Sequence, residues 1–105
     1  MAAEYLQKKG YKIIECNFHT RFGEIDIICS DGPTLVFVEV KTKIGHDFGE
    51  PEEMVNKSKI SKVKRMGEVY LQEKGISVLC RVDVVAIVLE NMGSVERIEH
   101  YQAVY

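Results

Sequence analysis

The chain has 105 residues, of which 46% are hydrophobic and 29% are charged, and its formal net charge is −2. These values predict one globular domain with a single core, residues 1–105, and they exclude nucleic-acid binding that rests on bulk positive charge alone. The sequence has no apolar run of the roughly 18 residues that a membrane span needs, and no signal peptide opens it, so we expect a cytoplasmic protein without a membrane partner.

The first half of the sequence predicts a helix followed by three strands. Residues 2–10 (AAEYLQKKG) are typical of a helix end, with lysines in the last turn and a glycine just beyond it. Residues 11–18 (YKIIECNF), 23–29 (GEIDIIC) and 35–43 (LVFVEVKTK) have the composition of strands. The Asp-Gly pair at 31–32 favours an antiparallel hairpin between the last two.

The second half predicts a helix and one or two further strands. Pro51 suits the first position of a helix that runs to about Lys74, and its apolar stripe comprises Ile60, Val63, Gly67, Tyr70 and Leu71. Residues 81–91 are almost wholly apolar, which is typical of a strand buried on both faces, and residues 95–105 form a terminal strand or arm. The order αβββαβ predicts an α/β fold whose central mixed sheet is flanked by helices.

Three carboxylates and one lysine fall on the predicted hairpin. Alternate residues of a strand share a face, so Glu39 lies on one face with Lys41, and Glu24 lies on one face with Asp26. A two-residue turn at 31–32 places Glu39 opposite Glu24 and diagonal to Asp26, within side-chain reach. A three-residue loop would instead put Asp26 and Glu39 on opposite faces of the sheet.

Three clustered carboxylates repel one another unless cations join them, and Lys41 alone offsets only one. Mg²⁺ or Mn²⁺ would neutralise the others, because such hard cations bind one or two carboxylates and keep water and phosphate oxygens as further ligands. Such a site activates water for phosphodiester hydrolysis, with Lys41 orienting or deprotonating the water and Glu24 as an additional acid. The alternative is that Glu24, Glu39 and Lys41 are simply solvated.

At these residues the sequence resembles a known family. The segments GEIDII, LVFVEVKTK, FGEPEE, a lysine-rich helix with Tyr-Leu near its end, and RVDVVAI resemble, in this order, the YraN-like family of small bacterial proteins. That family is similar to the PD-(D/E)XK restriction-endonuclease-like nucleases, including archaeal Holliday-junction resolvases.

The resemblance implies a restriction-endonuclease-like core, with Asp26 and Glu39 as metal ligands and Lys41 as the catalytic lysine. Ile25 stands where the superfamily's name has proline, a departure that the superfamily tolerates. Family members usually begin further upstream, with a Gly-Glu pair on the first helix. The resemblance therefore also implies that the start of this helix, with one acid, is missing here.

Basic residues of the second predicted helix offer the local patch that DNA binding requires. Lys59, Lys62 and Arg65 share one flank of this helix, while Arg21 and Lys43 lie at the ends of the hairpin strands. All five are candidate phosphate contacts, and a solvated helix flank is the open alternative. Aromatic residues are not interleaved with the basic ones, so the sequence gives little support to base stacking.

The remaining polar residues are predicted to be structural. The three cysteines lack CxxC spacing and are expected to be buried, reduced thiols. The three histidines are expected at the surface or in loops. Arg81 and Asp83 interrupt the apolar strand on one face and are predicted to form an ion pair.

The sequence thus predicts a Mg²⁺- or Mn²⁺-dependent endonuclease that acts on DNA, with branched DNA as the substrate that the resemblance implies. A chain of this size would cover both strands of a duplex more easily as a homodimer. The main rival is a nuclease-like domain that binds DNA or a protein without cleaving it. A third possibility is an interaction domain in which the carboxylates have no chemical role.

Overall fold

The computed structural model describes residues 1–44 and 56–105, which form two helices and one five-stranded sheet. In chain order the elements are α1 (Ala2–Lys8), β1 (Lys12–Thr20), β2 (Gly23–Asp31), β3 (Thr34–Ile44), α2 (Lys57–Lys74), β4 (Cys80–Leu89) and β5 (Val95–Tyr101). The strands stand in sequence order, with β3 and β4 parallel and the other neighbours antiparallel. The predicted α/β fold with a mixed sheet is confirmed, and residues 95–101 supply an edge strand.

The two helices pack on opposite faces of the sheet. On β3 and β4, Phe37 and Val84 belong to the core under α2, whereas Val38 and Val85 belong to the core beside α1. Side chains alternate across a strand, so a sheet covered on both faces needs apolar residues at nearly every position of its central strands. This explains why residues 82–88 are all buried. Among the described residues, no helix is long and apolar enough to span a membrane.

Helix α2 begins later than the sequence predicts. Asn56 has an extended backbone (φ −94°, ψ 112°), and its side-chain Oδ1 accepts a hydrogen bond from the Lys59 N–H at 3.1 Å. This is an N-cap, so α2 begins at Lys57. Pro51 itself lies in 45–55, outside the described residues. The predicted end is confirmed, because Gly75 adopts the left-handed conformation (φ 65°) that closes the helix.

Gly67 marks the closest approach of α2 to the sheet. A Cβ atom at this position would lie 2.4 Å from Cε2 of Phe37, a side chain that is almost completely buried. The glycine therefore allows the helix to rest directly on the ring that precedes Glu39 on the same strand face.

We expect Gly67→Ala to lower the free energy of unfolding by about 1–3 kcal/mol, because the added methyl overpacks this contact. The sign of this change is diagnostic, because at a helix position without a close contact the same substitution would raise the free energy of unfolding by about 1 kcal/mol. Urea denaturation measures the change, and Ser61→Ala on the exposed side of α2 is the control. The double variant Gly67→Ala with Phe37→Leu should lose less stability than the two single variants lose together, because the smaller side chain makes room for the added methyl. Stabilisation by Gly67→Ala alone would show that the contact is not tight.

The β2–β3 hairpin turns at Gly32 and Pro33, one residue later than predicted, since Asp31 pairs with Thr34. Gly32 has φ 59°, as the first central residue of a type II′ turn requires. The predicted turn at 31–32 would have placed Pro33 in the ladder, where it has no N–H to donate.

The predicted pairing of Glu39 with Glu24 and of Phe37 with Asp26 is therefore wrong by two positions: Phe37 pairs with Ile28. A shift of two positions keeps every side chain on its face. Asp26 and Glu39 thus remain on the same side of the sheet, which is the side covered by α2.

The predicted ion pair between Arg81 and Asp83 is confirmed, with Arg81 Nε 2.9 Å from Asp83 Oδ1. Asp83 is fully buried, and its other carboxylate oxygen lies 2.8 Å from Nε2 of His100. The prediction of a surface histidine is wrong for His100, whose side chain is 2% exposed. It is right for His19, which is exposed, while His46 lies outside the described residues.

The three cysteines are free thiols, but they differ in exposure. Cys29 is buried, and this burial raises the pKa of its thiol to about 12. Cys16 and Cys80 are exposed, so the prediction of buried thiols is wrong for both. Cys16 lies near the middle of the edge strand β1 and Cys80 at the first position of β4, where the sheet leaves them open to solvent.

Candidate active site

Strands β2 and β3 diverge where the two predicted metal ligands lie. Their backbone pairing ends at Ile27 and Val38, whereas β3 continues beside β4 as far as Ile44. Immediately beyond the last pair, Oδ2 of Asp26 accepts a hydrogen bond from the backbone N–H of Val40 at 2.8 Å. The Asp26 carboxylate is therefore fixed across the fork between the two strands.

A concave pocket of about 150 Å³ opens at this fork. It is lined by Phe22, Gly23, Glu24, Asp26, Glu39, Lys59, Lys62, Val63 and Met66. The hairpin supplies the acidic wall, and α2 supplies the opposite wall with two lysines. The three carboxylates that the sequence grouped together thus line one pocket, although they lie up to 15 positions apart in the chain.

Glu39 is the buried acid of this pocket, with 3% of its surface exposed. Its Oε1 lies 2.7 Å from Nζ of Lys59, and this hydrogen bond raises the pKa of the lysine, with Coulomb attraction by Glu39, Asp26 and Glu24 adding to it. A buried carboxylate requires such a partner. The sequence grouped Lys41 alone with the three acids, whereas in the structure α2 also brings Lys59 onto Glu39.

Lys41 lies two residues beyond Glu39 on the same face of β3 and is partly buried. Burial lowers the pKa of its ammonium group; Glu39 opposes this shift, and the positive charges of Lys59 and Lys43 add to it. A lowered pKa increases the neutral fraction of the amine, which makes the group a better proton acceptor near neutral pH. Its side chain is not among those that line the pocket.

Glu24 is the exposed acid of the pocket. One of its oxygens lies 3.2 Å from Nδ1 of His19, and both side chains are largely open to water. An exposed pair of this kind holds a carboxylate only weakly. Glu24 therefore remains available as the additional acid that the sequence proposes.

The other predicted phosphate contacts lie around the pocket. Arg65 lines a neighbouring shallow depression with Lys62 and two serines of α2. Arg21 lies in the β1–β2 turn, and Lys43 lies near the end of β3. Of the five predicted basic contacts, the structure brings Lys59 and Lys62 into the pocket and leaves Arg21, Lys43 and Arg65 outside its lining.

Three lining residues were not singled out from the sequence, namely Phe22, Gly23 and Met66. Met66 lies three residues after Val63, within the apolar stripe of α2, so helical spacing was the signal that could have found it. Phe22 lies in a turn, and no periodicity points to it.

The donor set fits a hard divalent cation. Asp26 and Glu39 provide carboxylate oxygens in one pocket, and Mg²⁺ needs only one or two protein carboxylates. Within residues 1–44 and 56–105 no group of three or more His, Cys, Asp or Glu is arranged to hold a metal, so Glu24 is not placed as a third ligand beside Asp26 and Glu39. A cation bound here would compete with the Lys59 ammonium for Glu39.

Comparison with known proteins identifies the family. The model of the uncharacterised protein family UPF0102 matches residues 1–87. The chain is 41% identical over 102 residues to a UPF0102 protein of Pelotomaculum thermopropionicum, an alignment that covers 96% of this chain and 85% of the relative. It is 44% identical over 100 residues to one of Thermodesulfovibrio yellowstonii, covering 95% and 87% of the two chains. The chain therefore belongs to UPF0102, the family that its motifs resemble.

Proposed function

We propose that this member of UPF0102 is a metal-dependent endonuclease that hydrolyses phosphodiester bonds in DNA. The observation that carries the proposal is the shared pocket of Asp26 and Glu39, in which one carboxylate is held by a backbone N–H and the other by a lysine. The order of acid, acid and lysine along two adjacent strands, which is similar to that of the PD-(D/E)XK nucleases, supports the same assignment.

In this proposal Asp26 and Glu39 would hold Mg²⁺ or Mn²⁺, and the cation would supply positive charge near the phosphate and would make the attacking water more acidic. The Val40 N–H holds one oxygen of Asp26 and so fixes this carboxylate at the pocket that it lines. Lys41 lies two residues beyond Glu39 on the same strand face but outside the pocket lining, so its side chain would have to turn towards the bound phosphate to accept a proton from the attacking water, a role that its lowered pKa favours. One P–O bond forms, the bond to the departing sugar oxygen breaks, and that oxygen takes up a proton from solvent water. Lys62 would hold a neighbouring phosphate, and so would Lys59 once a cation has displaced it from Glu39.

The proposed substrate is branched DNA of the kind formed during repair or recombination, by similarity to the resolvases. A short chain that cuts both strands of a duplex would act as a homodimer.

The second candidate is a nuclease-like module that binds DNA or a protein without cleaving it. One observation favours it: the Lys59 ammonium already neutralises the buried Glu39, so this acid has a counter-charge without a metal. The two candidates differ in one event: a nuclease requires Lys59 to release Glu39 so that this carboxylate can bind the metal, whereas a binding module does not.

Cleavage assays on branched, single-stranded and linear DNA, with and without Mg²⁺ or Mn²⁺, test the proposed function. A nuclease should bind the metal in calorimetry and cleave at least one substrate only when the metal is present. DNA binding without cleavage under any metal condition would favour the second candidate. Absence of both metal binding and DNA binding would overturn the two proposals and leave the interaction domain.

We expect Lys59→Ala combined with Lys62→Ala to weaken DNA binding and to reduce the slope of log affinity against log salt by about 2, because two phosphate contacts are lost. Fluorescence anisotropy at several salt concentrations measures both quantities. The charge-matched control is Lys8→Ala with Lys12→Ala, two exposed residues that do not line the pocket. Equal effects of the two double variants would show that the pocket lysines are not the phosphate contacts.

A further inference from the structure

Phe22 is an exposed aromatic residue at the mouth of the pocket. It is 61% exposed and lines the pocket together with Asp26 and Glu39. Phe18 and Phe37, by contrast, are buried in the core under α2. Covering a large apolar side chain that is exposed to water lowers the free energy, so this ring favours binding of a ligand that buries it.

The turn that carries Phe22 is anchored to the rest of the fold. The backbone N–H of Phe22 donates a hydrogen bond to Oγ1 of Thr20 at 3.0 Å, and the same hydroxyl lies 3.9 Å from the Met66 sulfur. Gly23 follows with φ 142°, and a Cβ atom at this glycine would lie 3.3 Å from the Met66 sulfur. Because α2 supports the turn, the backbone presents the ring at a fixed place on the pocket rim.

The surroundings of the ring combine an apolar face with positive charge. The guanidinium of Arg21 lies 4.9 Å from the ring centroid, and Lys59 and Lys62 line the wall that α2 contributes. An aromatic face beside several cations complements a nucleotide, whose base is flat and apolar and whose phosphate is negative.

We propose that Phe22 forms a base-stacking subsite for a nucleotide next to the phosphate held in the pocket. This inference rests on the proposed function and deepens it. Bases inside an intact duplex are already stacked on each other, so the subsite selects DNA with an unpaired base beside the target phosphate. Forks, flaps and branch points provide such bases, whereas a blunt linear duplex does not.

The chain contains no tryptophan, so Phe22→Trp introduces a single fluorescent reporter at this site. The variant is titrated in EDTA, which prevents metal-dependent cleavage, with a forked duplex, a single strand and a blunt duplex of matched length. Stacking on a base should quench the tryptophan with the forked and single-stranded DNA and much less with the blunt duplex. The control is Leu79→Trp, because Leu79 is 75% exposed and lies beside the start of β3, away from the pocket.

The second measurement is the affinity of Phe22→Ala for the same three DNAs. Loss of one base–aromatic stack should weaken binding of the forked duplex by about 5- to 150-fold and leave binding of the blunt duplex nearly unchanged. Circular dichroism verifies that this exposed substitution leaves the fold intact. Phe22→Tyr, which keeps an aromatic face, should retain the affinity.

Three results would overturn the inference. Equal quenching in the Phe22→Trp and Leu79→Trp variants, or unchanged affinity of Phe22→Ala for forked DNA, would remove the stacking subsite while leaving the nuclease proposal intact. If the unsubstituted chain binds none of the DNAs, the proposed function fails and the subsite fails with it.

Discussion

Glu39→Gln is expected to reduce metal-dependent DNA cleavage by at least about 100-fold, the scale of losing one group that stabilises charge in a transition state. The substitution keeps the size of the side chain but removes the negative charge that would bind the cation. Asp26→Asn should have a similar effect, because the third carboxylate of the pocket, Glu24, is exposed and is not one of the two proposed metal ligands. Cleavage rates and calorimetric Mn²⁺ affinities measure the two expected losses.

The matched control is Glu68→Gln, which removes the same charge from an exposed position on α2 outside the pocket. Unfolding curves separate chemistry from folding: Lys59 is 59% exposed, so its ammonium can turn to water when Glu39 is neutralised, and we expect little loss of stability. A folded Glu39→Gln protein that cleaves DNA at the unsubstituted rate would refute the catalytic assignment. If the two variants lose the Mn²⁺ binding of the unsubstituted chain but no form of the chain cleaves DNA, the result would instead point to a metal-binding module.

Arg81→Met is expected to lower the free energy of unfolding by about 3–5 kcal/mol, because it leaves a fully buried carboxylate without its cation. The guanidinium donates to both oxygens of Asp83, to Oδ2 of Asp31 and to the hydroxyl of Tyr11. Hydrogen bonds to Asp83 are the main reason that the pKa of Arg81 is raised. One side chain thus connects the start of β1, the end of β2 and β4.

Asp83 extends this cluster to the end of the chain, since its Oδ1 also accepts the backbone N–H of Ala103 at 2.9 Å. Urea denaturation of Arg81→Met, Asp83→Asn and the double variant measures the coupling between the two residues, which we expect to exceed about 1 kcal/mol. Arg65→Met, at an exposed position of α2, should change stability by less than about 0.5 kcal/mol. A similarly small loss for Arg81→Met would show that the buried cluster adds no net stability.

The two clusters lie on opposite faces of the same strands. Asp83 shares the face of β4 that packs beside α1, whereas Glu39 on the neighbouring β3 faces α2. The polar network on one face therefore holds the strands in place while the pocket on the other face stays open. We expect stability and activity to be separable by mutation for this reason.

Local patterns in the sequence predicted most of the fold. Strand alternation set which residues share a face, and it placed Asp26 and Glu39 on the same side even though the predicted turn was displaced by one residue. The glycine signal at Gly75 set the end of α2. Such features depend on backbone conformation over a few residues, which the sequence encodes directly.

Contacts between distant segments were decided only by the tertiary structure. Lys59 reaches Glu39 because α2 crosses over the β2–β3 fork, and no local pattern specifies which residue of a basic helix flank will meet a buried acid. His100 looked like a surface residue until β5 placed it against Asp83. Phe22 lies beside the pocket of Asp26 and Glu39 because its turn packs on Met66 of α2. The sequence by itself determined the strand faces and the acidic residues, whereas long-range packing decided which cations and which aromatic ring surround them, because those distances depend on the whole fold.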